Sequence, residues 1–492
     1  MDETALPRNP SDDPDADKLH EECGVFGVIG VEDAANFVAL GLHALQHRGQ
    51  EAGGIVSYDP KGGFNSARRF GYVRDNFTSK STMSTLPGSL GIGHVRYSTA
   101  GSKGATAIRD VQPFFGEFAM GGAAIAHNGN LVNAHKLRKA LINRGAIFQS
   151  SSDSECIIHL MARSVGETIP ERMKEALRQC EGAYAIVAMT RSKLIGVRDP
   201  LGIRPLVLGK LGSGHILASE TCALDIIGAE FVREIAPGEM VVITENEIAS
   251  FRPFAPQRPQ PCIFEYVYFS RPDSIVGDRS VYEVRRDIGV ELAREAPVEA
   301  DMVCPIPDSG TPAAIGYSQE SGIPFEMGII RNQYVGRTFI EPTDQIRNMG
   351  VRLKLNINRS LVRGKRVILV DDSIVRGTTS RKIKDMVLDA GAAEVHFRVA
   401  SPPTAWPDFF GVDMPNRDQL LAAHMTEDEM CAYLGVASLK FISIDGLYRA
   451  VGYPEGRDPE NPAHYDAVFT GDYPIDVSDH MESLRTTKLA AE

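Results

Sequence analysis

The segment VILVDDSIVRGTT, at 367–379, has the residue types needed to hold a phosphate. Its apolar start predicts a buried strand that ends at Asp371 and Asp372. The loop that follows opens into a predicted helix, whose backbone N–H groups and dipole favour an anion. Three hydroxyl side chains accompany this loop, namely Ser373, Thr378 and Thr379. Gly377 permits close approach of the backbone to a ligand, so the segment predicts a phosphate site.

Cys23, in the sequence Cys-Gly-Val-Phe-Gly-Val, is a second candidate for chemistry. Alone, such a cysteine is usually a small core residue at the start of a strand. A thiol has a pKa of about 8.5 and an α-amine one of about 7.7–8.0, so an α-amine on the same residue can accept the thiol proton. An internal Cys23 has only an amide nitrogen, which is no base. Cys23 can therefore serve as such a nucleophile only after residues 1–22 have been removed.

Further motifs follow Cys23 in a specific order. They are HALQHRGQEAGGI at 43–55, GHVRYSTAG at 93–101, HNGNLVN at 127–133 and SDSE at 152–155. Together with CGVFG they closely resemble the glutaminase domain of the class II, or N-terminal-nucleophile, amidotransferases, from Cys23 to about residue 250. The resemblance implies that residues 1–22 are a propeptide. Self-cleavage, in which the Cys23 thiol attacks the Glu22 carbonyl, is our hypothesis for its removal.

The same resemblance assigns roles in splitting the side-chain amide of glutamine. Cys23 is the nucleophile, while the Asn128 side chain and the Gly129 N–H form the oxyanion hole, where losing one donor typically costs about 3–4 kcal/mol. Three residues are assigned to glutamine, namely Arg96 and Thr99 for its α-carboxylate and Asp153 for its α-ammonium group. Taken singly, Arg96 and Asp153 fit an ordinary surface ion pair worth roughly 0–1 kcal/mol. Their motifs favour the functional interpretation.

The 367–379 segment closely resembles the phosphoribosyl pyrophosphate (PRPP) motif of type I phosphoribosyltransferases. The resemblance implies that the two aspartates meet the ribose hydroxyls and one Mg²⁺ per subunit. The implied PRPP-binding residues are Asp371, Asp372, Ser373, Arg376, Gly377, Thr378, Thr379 and Tyr334. The sequence PIPDSG at 305–310 resembles the loop that faces the pyrophosphate. It adds Ser309 to Asp371 and Asp372 as an implied metal ligand.

The segment RNQYVGRTFIEPTDQIRN, at 331–348, resembles the mobile lid of the same enzymes. Its arginines, which include Arg331, Arg337 and Arg347, and its lack of an apolar period suit a loop that orders over a charged ligand. The alternative is an exposed basic loop with no role.

The two halves together resemble the glutamine PRPP amidotransferases, which begin purine synthesis. The implied reaction converts glutamine, PRPP and water into 5-phosphoribosylamine, pyrophosphate and glutamate. Ammonia released at Cys23 must reach C1 of the ribose through a water-poor channel, because ammonium is unreactive. We infer that PRPP orders the lid near Tyr334 and so activates the glutaminase. The family also implies feedback inhibition by purine nucleotides and a homotetramer.

One feature departs from this family. The Glu-Glu before Cys23 resembles the cleaved branch, whose members often carry a four-iron, four-sulfur cluster that needs four cysteine thiolates. Cys262 matches the first ligand position, but the other three positions carry Asp408, Tyr465 and Val468. We therefore expect no iron–sulfur cluster and a buried Cys262.

Two different folds must position these residues. Strand-like runs at 24–30, 91–96, 125–130 and 183–189, with helical patterns at 34–47 and 154–165, predict stacked sheets flanked by helices. The resemblance makes this half an α+β, αββα four-layer sandwich of the N-terminal-nucleophile hydrolase type. The later strand–loop–helix–strand rhythm predicts an α/β phosphoribosyltransferase domain, with a parallel sheet whose ligands bind at the carboxyl ends of the strands. Its helix at 380–391 should bury Ile383, Met386, Val387 and Ala390 and end at Gly391.

The stretch RPFAPQRPQP, at 252–261, contains four prolines and predicts a domain junction. The expected boundaries are a propeptide at 1–22, a type 2 glutamine amidotransferase domain at 23–251, a phosphoribosyltransferase domain at 262–477 and a polar tail at 478–492.

Composition excludes several classes of function. The 492 residues carry a net charge of −12, which gives no electrostatic footprint for nucleic acid. No run approaches the roughly 18–20 apolar residues of a membrane span. The start lacks the basic and apolar regions of a secretory signal, so we expect a cytoplasmic protein. Seven scattered cysteines without a C-x-x-C pair indicate neither a disulfide framework nor a zinc site.

There are two alternative functions. One is an enzyme with a different second domain, and the other is a protein that keeps the fold but lacks catalysis. Another class II synthase, for hexosamine phosphate or asparagine, needs a sugar-isomerase or ATP-pyrophosphatase half, and neither motif set is visible. A PRPP-sensing regulator without activity is disfavoured by the intact Cys23, Asn128, Asp153 and 371–379 loop. Glutaminase turnover with and without PRPP separates the sensor from the enzyme.

Overall fold

The computed structural model describes residues 23–96, 105–332, 351, 354–412, 414 and 416–482. Several predictions lie outside these residues, namely the propeptide at 1–22, Thr99, Tyr334, nearly all of the 331–348 segment and the end of the polar tail. Within the described part, no helix has both the length and the apolar character needed to cross a membrane.

The first domain is built on two antiparallel sheets. Its strands are β1 (Cys23–Ile29), β2 (Ala52–Asp59), β3 (Gly63–Phe70), β4 (Leu90–Arg96), β5 (Phe114–Phe118), β6 (Gly121–Leu131), β7 (Gly182–Met189), β8 (Leu194–Arg198), β9 (Val207–Leu211), β10 (Gly214–Ala218), β11 (Glu230–Glu234), β12 (Met240–Ile243) and β13 (Ile248–Phe251). In the described residues one sheet has the order β11-β9-β10-β1-β4-β2-β3 and the other β13-β12-β8-β7-β6-β5.

The two sheets pack face to face, with helices outside both. Val25 and Ile92 of the first sheet belong to the same buried cluster as Ala124 and Val187 of the second. The outer faces are covered by the helices Ala34–Ala44, Val73–Asn76, Lys80–Met83, Ala134–Ile142, Ser154–Arg163, Ile169–Leu177 and Cys222–Asp225, with a 3₁₀ turn at Ala105–Asp110. This confirms the predicted αββα sandwich.

The first helix ends earlier than the predicted 34–47. It stops at Ala44, and the chain turns so that Arg48 enters the interior with no exposed side-chain area. Gly49 then lies against β4, where an added Cβ would come within 2.6 Å of the Arg96 nitrogen. Contacts distant in sequence thus override the local helical pattern at this point.

The second domain is built on a parallel sheet in the order β16 (Met302–Pro305), β19 (Arg366–Asp371), β20 (Glu394–Val399) and β21 (Ser438–Phe441). Two short antiparallel pairs are β14 (Ile275–Val276) with β15 (Arg279–Ser280), and β17 (Ile329–Arg331) with β18 (Leu355–Ile357). Its helices are Val281–Glu295, Thr311–Ser321, Arg359–Val362, Thr378–Asp389, Glu427–Leu434, Ile444–Ala450 and Ala467–Thr470, with a π-helix at Glu265–Phe269 and 3₁₀ turns at Arg417–Gln419 and Leu421–Ala423. This confirms the predicted α/β domain.

The helix Thr378–Asp389 follows its predicted pattern closely. Ile383, Val387 and Ala390 are buried, while Met386 is only half-buried. Gly391 follows the capping residue with a φ of 101°, in the conformation that favours glycine.

Candidate active sites

The candidate nucleophile begins the first strand of the sandwich. Cys23 lies directly opposite Arg96 of β4, so their β-carbons are about 4.5–5.5 Å apart. His94 lies two residues earlier, on the same face of β4. Burial, followed by the nearby Arg96 and His127, lowers the pKa of His94 to about 3. His94 is therefore neutral at pH 7 and adds no charge beside the thiol.

The candidate oxyanion hole lies on β6. Asn128 is fully buried, and neither polar atom of its amide has a hydrogen-bond partner among the described residues. Leaving a buried polar group without a partner costs roughly 1–3 kcal/mol, so the Asn128 amide is a candidate ligand-binding group. Gly129 has a φ of 132°, and an added Cβ would lie 2.1 Å from the Ala183 carbonyl oxygen. Only glycine fits at this position.

The candidate ammonium-binding residue is tied to the same strand. Asp153 precedes the helix Ser154–Arg163, and its Oδ1 accepts a hydrogen bond of 2.7 Å from the Ser154 N–H. Its Oδ2 accepts one of 2.8 Å from the N–H of Leu131, two residues beyond Gly129. The carboxylate and the candidate oxyanion hole are thus held in one rigid unit.

Asp110 connects the two candidate glutamine-binding groups, a role that the sequence did not indicate. Its Oδ2 lies 3.8 Å from Nη2 of Arg96. The same carboxylate accepts hydrogen bonds from the backbone N–H and the hydroxyl of Ser151, at 2.8 and 2.9 Å. Asp110 therefore links Arg96 to the loop that carries Asp153. None of the motifs contains Asp110, and only its contacts in the folded protein reveal this linking role.

The candidate phosphate site lies at the carboxyl end of the parallel sheet, as predicted. Asp371 ends β19, and both it and Asp372 are buried. The loop after β16 lies against this end, because the Ile306 N–H donates to the Val370 carbonyl at 2.9 Å. Gly310 is so close that an added Cβ would lie 2.3 Å from the same oxygen.

Two buried oxygens at this edge lack hydrogen-bond partners among the described residues. They are the Ser309 hydroxyl and Oδ2 of Asp372. Oδ1 of Asp372 accepts a hydrogen bond of 2.7 Å from the Ser373 hydroxyl. In the described part of the chain no group of three or more His, Cys, Asp or Glu side chains could hold a metal. The arrangement suits Mg²⁺, which binds through one or two carboxylates and substrate oxygens.

The loop after Asp372 also has the predicted form. Gly377 has a φ of 73° and precedes the helix that begins at Thr378, without a side-chain cap on that helix. Its backbone N–H groups therefore suit an anion. The Nη2 of Arg376 in this loop donates a hydrogen bond of 2.5 Å to Oε1 of Gln419.

Comparisons with known proteins identify the family of the chain. A model of the glutamine amidotransferase domain matches residues 99–225. The chain is 57% identical over 488 residues to the amidophosphoribosyltransferase of Rhizobium etli, covering 98% of this chain and 97% of the relative. The Bacillus subtilis amidophosphoribosyltransferase is 45% identical, over 93% of this chain and 95% of its own. The chain belongs to the amidophosphoribosyltransferase family.

Solved structures extend this finding. The B. subtilis glutamine PRPP amidotransferase, complexed with ADP and GMP, matches with a TM-score of 0.86 at 44% identity, covering 92% of this chain and 98% of that one. A structure described as the allosteric regulatory enzyme of purine biosynthesis matches with a TM-score of 0.87 at 45% identity, over 92% and 97%. The predicted family and enzyme class, a glutamine-dependent pentosyltransferase, are confirmed.

The two domains meet at a buried ion cluster, which the sequence did not predict. Nη2 of Arg48 lies 2.6 Å from Oε2 of Glu265 in the second domain, and its Nε contacts Glu220. Nη1 of Arg204 lies 3.6 Å from the other Glu265 oxygen. Burial disfavours the Glu220 carboxylate, but Arg48 and His47 outweigh it and hold the pKa of Glu220 well below its usual value. The sequence feature that could have indicated this cluster is a glutamate inside the apolar run CIFEYVYF.

The four positions compared with iron–sulfur ligands lie together. Cys262 is buried, as predicted, and pairs with Tyr465 in an isolated parallel bridge. The Tyr465 hydroxyl donates to Oδ2 of Asp408 at 2.6 Å. Val468 accepts hydrogen bonds from the backbone N–H groups of residues 405 and 406. Burial raises the pKa of the Cys262 thiol, which disfavours its thiolate.

Proposed function

We propose that this chain converts glutamine, PRPP and water into 5-phosphoribosylamine, pyrophosphate and glutamate, the first committed step of purine synthesis. The observation that carries the proposal is the presence of two candidate sites in one chain. One is the buried, unpartnered amide of Asn128 in the domain that begins with Cys23. The other is the buried Asp371–Asp372 pair beside the phosphate loop. The full-length similarity to amidophosphoribosyltransferases supports the same reaction.

In the proposed glutaminase step, removal of residues 1–22 gives Cys23 an α-amine that accepts the thiol proton. The thiolate attacks the side-chain carbonyl carbon of glutamine, and the oxyanion is held by the Asn128 amide and the Gly129 N–H. Ammonia leaves as a thioester forms, and water then hydrolyses the thioester to glutamate. Arg96, with Thr99, holds the α-carboxylate, and Asp153 holds the α-ammonium group.

In the proposed transferase step, ammonia attacks C1 of the ribose and pyrophosphate leaves. Asp371, Asp372 and Ser309 would hold Mg²⁺, and the orphaned oxygens of Asp372 and Ser309 support this assignment. When bound, the ion neutralises negative charge on the pyrophosphate. The remaining PRPP contacts are assigned to the 373–379 loop, through Ser373, Arg376, Gly377, Thr378 and Thr379, and to Tyr334 of the lid.

We further propose the domain boundaries given above, a cytoplasmic homotetramer and inhibition by purine nucleotides. The B. subtilis relative complexed with ADP and GMP supports the nucleotide part.

We also propose that the protein contains no iron–sulfur cluster. Cys262 is the only thiol at the four compared positions, and Asp408 and Tyr465 are hydrogen-bonded to each other there. Four thiolates are needed, so the residues present do not fit the group. An iron assay on the pure protein should find none above background, and about four irons per chain would contradict the proposal.

Two variants and two nitrogen sources test the reaction. Cys23→Ala should form no 5-phosphoribosylamine from glutamine but should still form it from ammonia, which bypasses the glutaminase. Asp372→Asn should lose product formation from both sources. A Cys23→Ala protein that still uses glutamine would refute the proposal, as would a wild-type protein that is silent with both sources. Intact mass reports whether residues 1–22 are absent, and a trimmed Cys23→Ala protein would refute self-cleavage.

A further inference from the structure

A turn of the second domain, residues 408–412, lies directly against the candidate oxyanion hole of the first. The Asn130 side chain donates to the Phe409 carbonyl at 2.8 Å. Nε of Arg204 donates to the Phe410 carbonyl at 3.0 Å. Gly411 packs so closely that an added Cβ would lie 3.1 Å from the Gly129 α-carbon. Three consecutive residues of the turn therefore contact the first domain at or beside Gly129.

The turn is held in shape by one buried carboxylate. Oδ1 of Asp408 accepts hydrogen bonds from the N–H groups of Phe410 and Val412, at 2.7 and 3.0 Å. Oδ2 accepts the hydrogen bond from the Tyr465 hydroxyl. Asp408 itself is only 4% exposed. Hydrogen bonds to an ionised acceptor are short and strong, so this carboxylate fixes the path of the backbone that meets Gly129.

Gly411 and Gly129 approach each other through backbone on both sides, which leaves little room for adjustment. Gly411 has a φ of 113° and Gly129 one of 132°, so both positions favour glycine. Gly129 also packs against the Ala183 carbonyl of β7. The Gly129 backbone is thus packed between β7 and the second domain.

We propose that Asp408 is a positioning residue for glutamine hydrolysis. By shaping the 408–412 turn it sets the Gly129 N–H and the neighbouring Asn128 amide at the place where the oxyanion forms. The inference rests on the proposed function, which assigns the oxyanion hole to these two residues. It makes the glutaminase dependent on a carboxylate of the transferase domain that touches neither substrate.

The test compares glutamine hydrolysis with ammonia-dependent product formation in the full-length protein with PRPP present. In Asp408→Ala, kcat for glutamine hydrolysis should fall about 10- to 100-fold, because a small displacement of catalytic groups has effects of this size. KM for glutamine should change little, since Arg96 and Asp153 are not touched. The ammonia-dependent rate should stay near that of wild type, which a merely structural role in the second domain would not allow.

Asp458→Asn is the matched control. Oδ1 of Asp458 accepts hydrogen bonds from the N–H groups of Glu460 and Asn461, at 3.0 and 3.2 Å, in an exposed turn of the same domain. Both rates should be unchanged in this variant. Tyr465→Phe removes one of the three hydrogen bonds that the Asp408 carboxylate accepts from the described residues, and it should lower hydrolysis by less than Asp408→Ala does.

Equal loss of both rates in a folded Asp408→Ala protein, or unchanged hydrolysis, would overturn the inference. If Asp408→Ala does not fold, Tyr465→Phe serves as the test. Unchanged glutamine hydrolysis in Tyr465→Phe would then overturn the inference. Asn128→Ala separates the two levels of the argument. If it retains hydrolysis, the proposed oxyanion hole is wrong; if it loses hydrolysis while Asp408→Ala keeps it, only the positioning role is wrong.

Discussion

Replacing Glu265 by glutamine should destabilise the protein, because it leaves excess positive charge buried between the domains. Arg48 and Arg204 have no exposed side-chain area, and they face the carboxylates of Glu220 and Glu265, which are 0% and 2% exposed. The distances from Glu265 are 2.6 Å to Arg48 and 3.6 Å to Arg204. Glutamine keeps the volume and loses the charge.

The size of the effect follows from the burial of this cluster. Removing one partner of a buried ion pair typically costs about 3–5 kcal/mol. The lower end applies here, because Glu220 still contacts Arg48 and the Ser270 hydroxyl can still donate to the new amide oxygen. A loss of about 3 kcal/mol lowers the midpoint of thermal unfolding by roughly 6–12 °C in a domain of this size.

Thermal unfolding followed by circular dichroism measures the shift. Glu320→Gln is the control, since Glu320 and Arg294 form an exposed pair at 2.9 Å that should contribute at most about 1 kcal/mol. The double variant Arg48→Gln with Glu265→Gln should recover part of the loss, because the charges balance again. A midpoint for Glu265→Gln no lower than that of Glu320→Gln would refute the reasoning.

Three further outcomes are expected. Gly129→Ala should reduce glutamate release more than about 100-fold, because the new Cβ meets the Ala183 carbonyl. Gly145→Ala is the control and should not reduce it, since no atom lies within 4 Å of the added Cβ. Equal effects of the two substitutions would contradict this prediction. Burial opposes the ionised form of Glu220, but Arg48 lowers the pKa of this carboxyl in the folded protein. The stabilising effect of Glu220 is therefore complete above about pH 4.3 and is lost as the pH falls through the lower folded pKa. Urea unfolding midpoints measured against pH should show this loss, and a midpoint that does not change in acid would contradict the prediction. Chelating Mg²⁺ should stop product formation from glutamine and from ammonia, and added Mg²⁺ should restore both; activity that survives chelation would exclude the proposed metal role.

Features that depend on local order were predictable from the sequence. The strand that begins at Cys23, the strand that ends at Asp371 and the glycine-capped loop before Thr378 all lie where their patterns indicate. These features could be predicted because the apolar period, the turn residues and the helix start signals all depend on residues that are close in sequence. The helix predicted over 34–47 was wrong at its end, because Arg48 is drawn into contacts with distant carboxylates.

The sequence by itself determined the chemistry: a thiol in its motifs, an aspartate pair before a phosphate loop, and the two kinds of domain that carry them. Only the tertiary structure decided how the domains depend on each other. Asn130 and Phe409 are 279 residues apart, yet the side chain of one binds the carbonyl of the other. Arg48 and Glu265 come from different domains and share one buried ion pair. No periodicity encodes such pairs, because they form only when the surfaces of the two domains pack together.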